Sequence, residues 1–491
     1  MKTRQSFVKI LALTFVVALT AHAKVDPKAA TASGMREFGF KLFQALHASD
    51  VKENIAVSPL SITEALVLTM QGADGDTKLA LEELLVGKSG TKSGIDRAVL
   101  LAGIKGLRAD LQNFANKSKE SFVFSSASAL WANTNEDIGF KFKPGFLQLA
   151  EKEFGAKLNA EDFAKPAAVK NINDWVLGKT NKRIDKLVEQ LGEDDVAVLL
   201  NAVYAKGKFS RPFLDVSEGP YRDAKGNPST VSYLTKSDSI GFAEDKEVRL
   251  FSFNAEQAPD ERGAMRNQIA VDILSSQDGK LDTLVHALNG DRYKKLVDGI
   301  ALKNIKLTIA AGKVEQAQAL KLKPRLTAKP FAMTLPFSPA AARFTSMGDT
   351  KNKENLYISD ILTKMFYEVT PFGFEAAAAT AVMMARETAV AEPPKYTPYS
   401  VETASVHVIR HIPTGAPLFI TVYDSPKLYK QEELITFAEE GAKTGQWLSA
   451  TTKEGVVRAV YDDASKDYVV ALTDASGKVL KTLKALKVLK P

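Results

Sequence analysis

Two histidines four residues apart, His407 and His411, are the first residues whose spacing could do chemistry, since that interval sets both rings on one face of a helix or strand. Neutral imidazoles so placed can share a metal ion. No third ligand stands close by in the sequence, so packed or surface histidines are the plainer reading, and no metal site is expected. Adjacent carboxylates occur at Glu193, Asp194 and Asp195 and again at Asp462 and Asp463. Both groups fall in turn-like stretches and read as solvated loops, not as the acid and base of a glycosidase. The chain carries no G-x-S-x-G elbow, no G-x-x-x-x-G-K-[ST] phosphate loop and no H-E-x-x-H. Nothing assembles a nucleophile, a base and an orienting group, so neither an enzyme nor a cofactor is expected.

The stretch "PFGFEAAAATAVMMARE", residues 371–387, is chemically odd in another way. By propensity alone it is a helix with a buried alanine face, since Ala, Glu, Met and Arg all favour helix. Yet Pro371 and Gly373 stand just ahead of it, and Pro393 and Pro394 follow in a loop-like segment. A run of the smallest side chains is thus set in a loop context.

The elements that must position such a stretch come from a chain of 491 residues, 45% hydrophobic and 25% charged. That balance is globular, with length for one large domain or two to three average ones. Residues 1–23 read as a secretory signal: a basic start, an apolar run from Ile10 to Thr20, and the small-residue triplet Ala21-His22-Ala23. Removing Lys2, Arg4 and Lys9 takes the formal charge from +7 to +4, too mild to suggest nucleic acid. No transmembrane segment is expected, because no stretch approaches about 18 uninterrupted apolar residues. The chain has no cysteine, which excludes disulfides, thiolate metal sites, a Cys nucleophile and a lipoprotein anchor. The protein is read as exported, to the periplasm or the extracellular space.

Phe38, Leu42, Phe43 and Leu46 recur at helical spacing. Ser58 is a good N-cap with Pro59 at the first helical position, and Gly72 ends that helix. Asp76 or Thr77 is expected to cap the next helix, and a third is expected over about 95–114. "VKNINDWVLGKTNKRIDKLV" reads as a helix through Trp175, and "VAVLLNAVYAKGKF" as a strand buried on both faces. Further strands are expected near 247–253, 268–275 and 304–310. The plan is α+β in a single large domain, helices first and long strands after. The last 60 or so residues read as two strands around a turn near 462–465, then a basic end with Lys478, Lys481, Lys484, Lys487 and Lys490 at every third position. That end reads as a solvated edge strand or short helix, with a partner-binding tail as the alternative.

Four segments in order resemble the serpin family of protease inhibitors across roughly residues 34–427. They are "NIAVSPLSITEAL" with "GADGDT"; "INDWVLGKTNKRI" with "LLNAVYAKGKF"; "LYISDILTKMFYEVTPFGFEAAAATA"; and "VIRHIPTGAPLFITVYDSP". The resemblance implies the serpin fold, helices plus three β-sheets with an exposed reactive-centre loop at about 371–400. It sets the serpin domain at 24–427 and leaves 428–491 as an extension beyond the usual family end. It also implies suicide inhibition: a protease cleaves the loop, is held as an acyl-enzyme, and is dragged away as the loop inserts into the main sheet. The hinge would be Gly373, Phe374, Glu375, Ala376, Ala377, Ala378, Ala379 and Thr380. Ala376, Ala378 and Thr380 would face the layer covering the sheet, so alanine is chosen there for volume. The scissile bond falls at Glu387–Thr388, or at Arg386–Glu387 if the loop is one residue shorter. Arg386 suits a trypsin-like pocket carrying a carboxylate, and Glu387 a glutamate-preferring enzyme. A cut at Met384–Ala385, which needs a loop shorter than usual, would suit an elastase-like enzyme. The implied partner is a target protease, of the serine class with the cysteine class as an alternative, met by a monomer.

Some positions depart from the family pattern. Phe374 stands where a small hydroxyl residue is usual, and overpacking a tight interior costs about 1–3 kcal/mol, enough to slow insertion. Pro371 and Phe372 replace acidic residues, and Pro371 is expected to remove a ladder donor. Ser58, Ser61 and Asn201 match the polar cluster under the sheet's opening, with Thr363 in place of the usual histidine. Phe209 replaces a tryptophan, and Ala404-Ser405 stands where a Pro-Phe pair is frequent. On these departures a non-inhibitory binding or carrier serpin is the alternative function.

Overall fold

The computed structural model describes residues 25–48, 55–118, 121–255, 257–259, 263–315, 319–351, 355–374, 394–462 and 467–486. Helices come first, as the amphipathic spacing predicts. α1 (Pro27–His47) is capped by Asp26, whose carboxylate accepts from the Lys28 amide at 3.0 Å, and it buries Phe38, Leu42, Phe43 and Leu46. α2 (Pro59–Gln71) starts at Ser58 and stops at Gly72, as expected. α3 (Gly75–Lys92) has Asp74 in the cap position, two residues before Asp76 and three before Thr77, the expected caps. Tertiary contacts decide this. The Asp74 carboxylate accepts from Thr345 Oγ1 at 2.5 Å and the Ser346 amide at 3.1 Å, while Thr77 Oγ1 accepts from the Arg343 amide at 2.9 Å. α4 (Arg97–Lys117) is capped by Asp96. α5 is Pro166–Lys179 and α6, far along the chain, is Gln431–Thr444.

The main strands in chain order are β1 (Phe122–Asn133), β2 (Lys157–Glu161), β3 (Ala197–Lys208), β4 (Asp215–Arg222), β5 (Pro228–Glu244) and β6 (Val248–Asn254). Next come β7 (Ile269–Ser276), β8 (Ala301–Glu315), β9 (Asp360–Thr363), β10 (Phe366–Thr370) and β11 (Gly373–Phe374). Then follow β12 (Thr397–Val401), β13 (Ser405–His411) and β14 (Ala416–Tyr423), and finally β15 (Ser449–Thr452), β16 (Gly455–Asp462), β17 (Asp467–Thr473) and β18 (Val479–Ala485).

The main sheet runs β2–β1–β3, then β9 with β11 and β10, and ends on the last residues of β8. β1 and β3 are antiparallel from Phe122↔Gly207 to Ala132↔Ala197. β3 and β9 are parallel from Val198↔Asp360 to Asn201↔Thr363. β3 reads as one apolar run because both its faces are covered. Val198 and Leu200 pack with Trp131, Ile172 and Val176 beneath α5, while Ala197 and Leu199 join the large core on the other face.

A second sheet pairs β4, β5, the first part of β8 and β12. A third pairs β6, β7, β13 and β14. Asp272 of β7 is wholly buried and would be costly alone. Arg410 of β13 donates to it from Nε at 2.6 Å, and Ser252 Oγ and the Tyr293 hydroxyl each donate at 2.6 Å. That set satisfies the carboxylate and ties β6, β7 and β13 together.

Residues beyond 427 fold onto this frame. The two strands expected around 462–465 are β16 and β17, and part of the lysine-rich end is strand β18. Helix α6 is not foreseen in the sequence reading, although Leu434, Phe437, Ala438, Gly441 and Ala442 bury one face at helical spacing. β15 adds to β4 in parallel at Asp215↔Ser449, and β15–β18 continue as an antiparallel meander. The edge that β4 would otherwise present is thereby covered.

Candidate functional site: a hinge turn at the mouth of the main sheet

At the upper end of β10 the chain reverses through Thr370-Pro371-Phe372-Gly373, and Val369 pairs with Phe374 and Thr370 with Gly373 across the turn. The Thr370 hydroxyl donates to the Gly373 carbonyl at 3.1 Å. Pro371 takes the second turn position, where a fixed φ is useful and no N–H is needed. The ladder donor expected to be lost at Pro371 is therefore not called for. The Pro371 and Phe372 carbonyls accept from the amides of Phe213 and Phe209, each at 2.8 Å. Phe209 occupies its position as part of an aromatic group, 5.9 Å from Phe213 and 5.8 Å from Phe253 between ring centroids.

β11 also pairs with β3, Gly373 with Lys208 and Phe374 with Gly207. Two residues thus already lie between β3 and β10 as the start of an intervening strand. Phe374 is 1% exposed. Gly207 leaves room for the ring in this seat. A Cβ added at Gly207 would stand 2.4 Å from Cζ and 2.5 Å from Cε1 of Phe374. Gly373 is needed in turn, since a Cβ there would lie 2.0 Å from the Gly207 carbonyl oxygen. A glycine inside an apolar strand is the sequence sign of such a close approach.

Below this seat the sheet is closed, because β9 pairs directly with β3. Thr363, 1% exposed, faces Asn201 in that ladder, where Asn201 is placed by its backbone only. Ser58 caps α2 by accepting from the Ser61 amide at 3.2 Å and donates to the Leu418 carbonyl at 2.7 Å. Ser58 and Ser61 are both buried. Glu375, Ala376, Ala377, Ala378, Ala379 and Thr380, and the scissile-bond candidates Arg386, Glu387 and Thr388, lie outside the described residues.

Three contacts from the C-terminal extension reach this mouth. The Tyr429 hydroxyl donates to the Val369 carbonyl of β10. Glu433 Oε1 lies 3.0 Å from Lys313 Nζ of β8. Glu440 Oε1 lies 3.7 Å from Lys208 Nζ at the end of β3, with both side chains largely buried. Burial pushes the Glu440 carboxyl up, against the pull of Lys208 and Lys206. Glu440, Thr444 and Gln446 line a cleft with Phe372 of the turn.

The histidine pair is packed. His407 contacts the Tyr367 hydroxyl and Ser405 Oγ, each at 3.1 Å, and stacks on Tyr423 at 4.3 Å between centroids. His411 Nδ1 is 2.9 Å from Thr414 Oγ1. Among the described residues no group of three or more His, Asp or Glu side chains could hold a metal ion. Burial depresses His407 to about 3 and His411 to about 4. Both stay neutral in the fold while the unfolded chain takes up protons below its ordinary value near 6.5. Their contribution is therefore present above about pH 6.5 and is lost as pH falls, down to about 4 for His411 and about 3 for His407, by up to about 1.4 kcal/mol per pH unit for each ring. Urea midpoints at pH 7, 6 and 5 should fall in that order; a flat series would contradict neutral burial.

A family model described as Serpin (serine protease inhibitor) matches residues 33–426. Human Serpin B8 is 26% identical over 398 residues, covering 79% of this chain and 97% of its own length. The human leukocyte elastase inhibitor is 27% identical over 408 residues, covering 80% and 99%. Among solved structures, a thermophilic serpin, tengpin, in the native state superposes with a TM-score of 0.68 at 24% identity, covering 82% of this chain and 95% of that one.

Proposed function

Because this chain belongs to the serpin family, we propose that it is an exported inhibitor of serine proteases that acts by loop cleavage, acyl-enzyme trapping and loop insertion. The observation that carries the reading is the hinge itself: Gly373 and Phe374 already stand between β3 and β10, in register with both. A strand begun there needs only the β3–β9 ladder to part before it can lengthen.

The protease serine attacks the carbonyl carbon of Arg386 or Glu387, and the amide nitrogen of the next residue leaves with a proton as a new N-terminus. The remaining ester holds enzyme to inhibitor until water attacks it. Entry of Ala376, Ala378 and Thr380 behind Phe374 drags the ester away and distorts the protease before that second step. A cysteine protease would be held by the equivalent thioester. Residues 1–23 direct export, and the protein acts as a monomer.

The alternative, a binding or carrier serpin, rests on Phe374 and Pro371. With Phe374 fitted to Gly207 and Pro371 in a turn, neither favours it. The test is to mix the protein with trypsin-like, elastase-like, glutamyl and papain-like proteases and resolve each mixture on a denaturing gel. A stable band at the summed mass is expected with a serine protease, and mass spectrometry of the released fragment fixes the scissile bond. Loop cleavage by every enzyme with no such band would overturn the reading.

A further inference from the structure

The C-terminal extension touches the main sheet where the hinge enters it, on both sides of the entry point. Tyr429 holds the Val369 carbonyl on β10, and Glu433 holds Lys313 on the neighbouring β8. The backbone adds to this side, since the Lys427 amide donates to the Lys313 carbonyl at 3.1 Å. Across the mouth, Glu440 reaches Lys208, the β3 residue paired with Gly373. One helix, α6, carries Glu433 and Glu440 two turns apart, so the distance between its two grips is fixed by helix geometry. Between the grips lie Phe372, lining a cleft with Glu440, and Phe374 in its seat against Gly207.

We propose that α6 is a clasp that sets the width of the sheet's mouth: Tyr429 and Glu433 on one side and Glu440 on the other hold β10 and β3 one strand apart, and so keep Gly373 and Phe374 seated. The three are positioning residues for insertion and touch no protease. The proposal rests on the insertion reading for its functional meaning, but its geometry does not. With the mouth held at one-strand width, opening has only to continue downward through the β3–β9 ladder when the rest of the loop follows. Without the clasp, β3 and β10 can close on each other, and the hinge must leave.

The test uses the full-length, uncleaved protein with Glu440→Gln, Tyr429→Phe and the pair together, read by hydrogen exchange of the peptide spanning Thr370–Phe374. Loss of one grip should speed hinge exchange roughly tenfold, and loss of both on the order of a hundredfold, because Glu440→Gln removes the counter-charge of Lys208 and Tyr429→Phe removes the donor to the Val369 carbonyl. Exchange in β7 and β13 should not change. The charge swap Lys208→Glu with Glu440→Lys should restore slow hinge exchange, which a merely structural role for Glu440 would not require. Faster exchange confined to α6 and β15–β18, with the hinge unmoved, would overturn the proposal. No protease enters this measurement, so absence of a covalent complex would count against the function and leave the clasp standing.

Discussion

Replacing Ala378 by arginine is expected to convert the protein from inhibitor to substrate, with the covalent complex reduced by a factor of about 100 or more. The reason lies in the alternation set by Phe374. Its side chain belongs to the large core, the face of β3 that Leu199 also joins. A strand continued from Phe374 with the two-residue period of a β-strand directs residues 376, 378 and 380 into that same core. Alanine and threonine enter it at little steric cost. An arginine must bury an unpaired guanidinium, at several kcal/mol. A barrier raised by about 3 kcal/mol slows insertion by more than a hundredfold, and deacylation then wins. The readout is the ratio of covalent complex to cleaved inhibitor on a denaturing gel. Ala378→Ser is the comparison, because it keeps a small side chain on the same face. Equal loss from both variants would remove the argument from side-chain volume.

Gly207→Ala should destabilise the protein by about 1–3 kcal/mol, yet cost almost nothing when Phe374→Ala is present. The added Cβ would stand 2.4 Å from the Phe374 ring, and the ring is 1% exposed with Phe122 beside it, so it has little room to move aside. Phe374→Ala alone should cost about 3–5 kcal/mol, as large aromatic truncations in cores do. The double variant should then be more stable than the sum of the two by about 1–3 kcal/mol, the coupling expected of groups in contact. Urea unfolding of the four proteins measures it. Additive effects would mean that Gly207 is not what accommodates the ring. The cycle bears on inhibition as well. If the pocket at Gly207 already holds Phe374, then Phe374→Thr removes a seated anchor and should not speed inhibition.

Several parts of this arrangement were legible in the sequence, each for a physical reason. Ser58-Pro59 and Gly72 bound α2 because capping is local chemistry, satisfied within one turn. The buried strand β3 showed as an unbroken apolar run because it is covered on both faces. Asp74 did not show as a cap, because its partners Thr345 and Ser346 lie some 270 residues away in the chain, at separations of 271 and 272. The run of small residues after Gly373 is visible in the sequence, whereas the seat of Phe374 is not, because the glycine beside the ring sits on another strand. α6 carries apolar residues at helical spacing, but it lies past the end of the family pattern. Its grip on Lys208 and Lys313 joins residues that no local pattern connects.

The most direct test of the central claim, that the loop inserts into the main sheet, is the melting temperature before and after a single cut within residues 375–393. Insertion would add a strand with hydrogen bonds on both sides and one face in the core. For a chain of this length each kcal/mol gained should raise Tm by about 1 °C, so a gain of a few kcal/mol should raise it by about 3 °C and a larger gain by proportionally more. The Ala378→Arg protein, cut in the same way, should show no such rise. A wild-type protein whose melting temperature is unchanged by the cut would contradict the account.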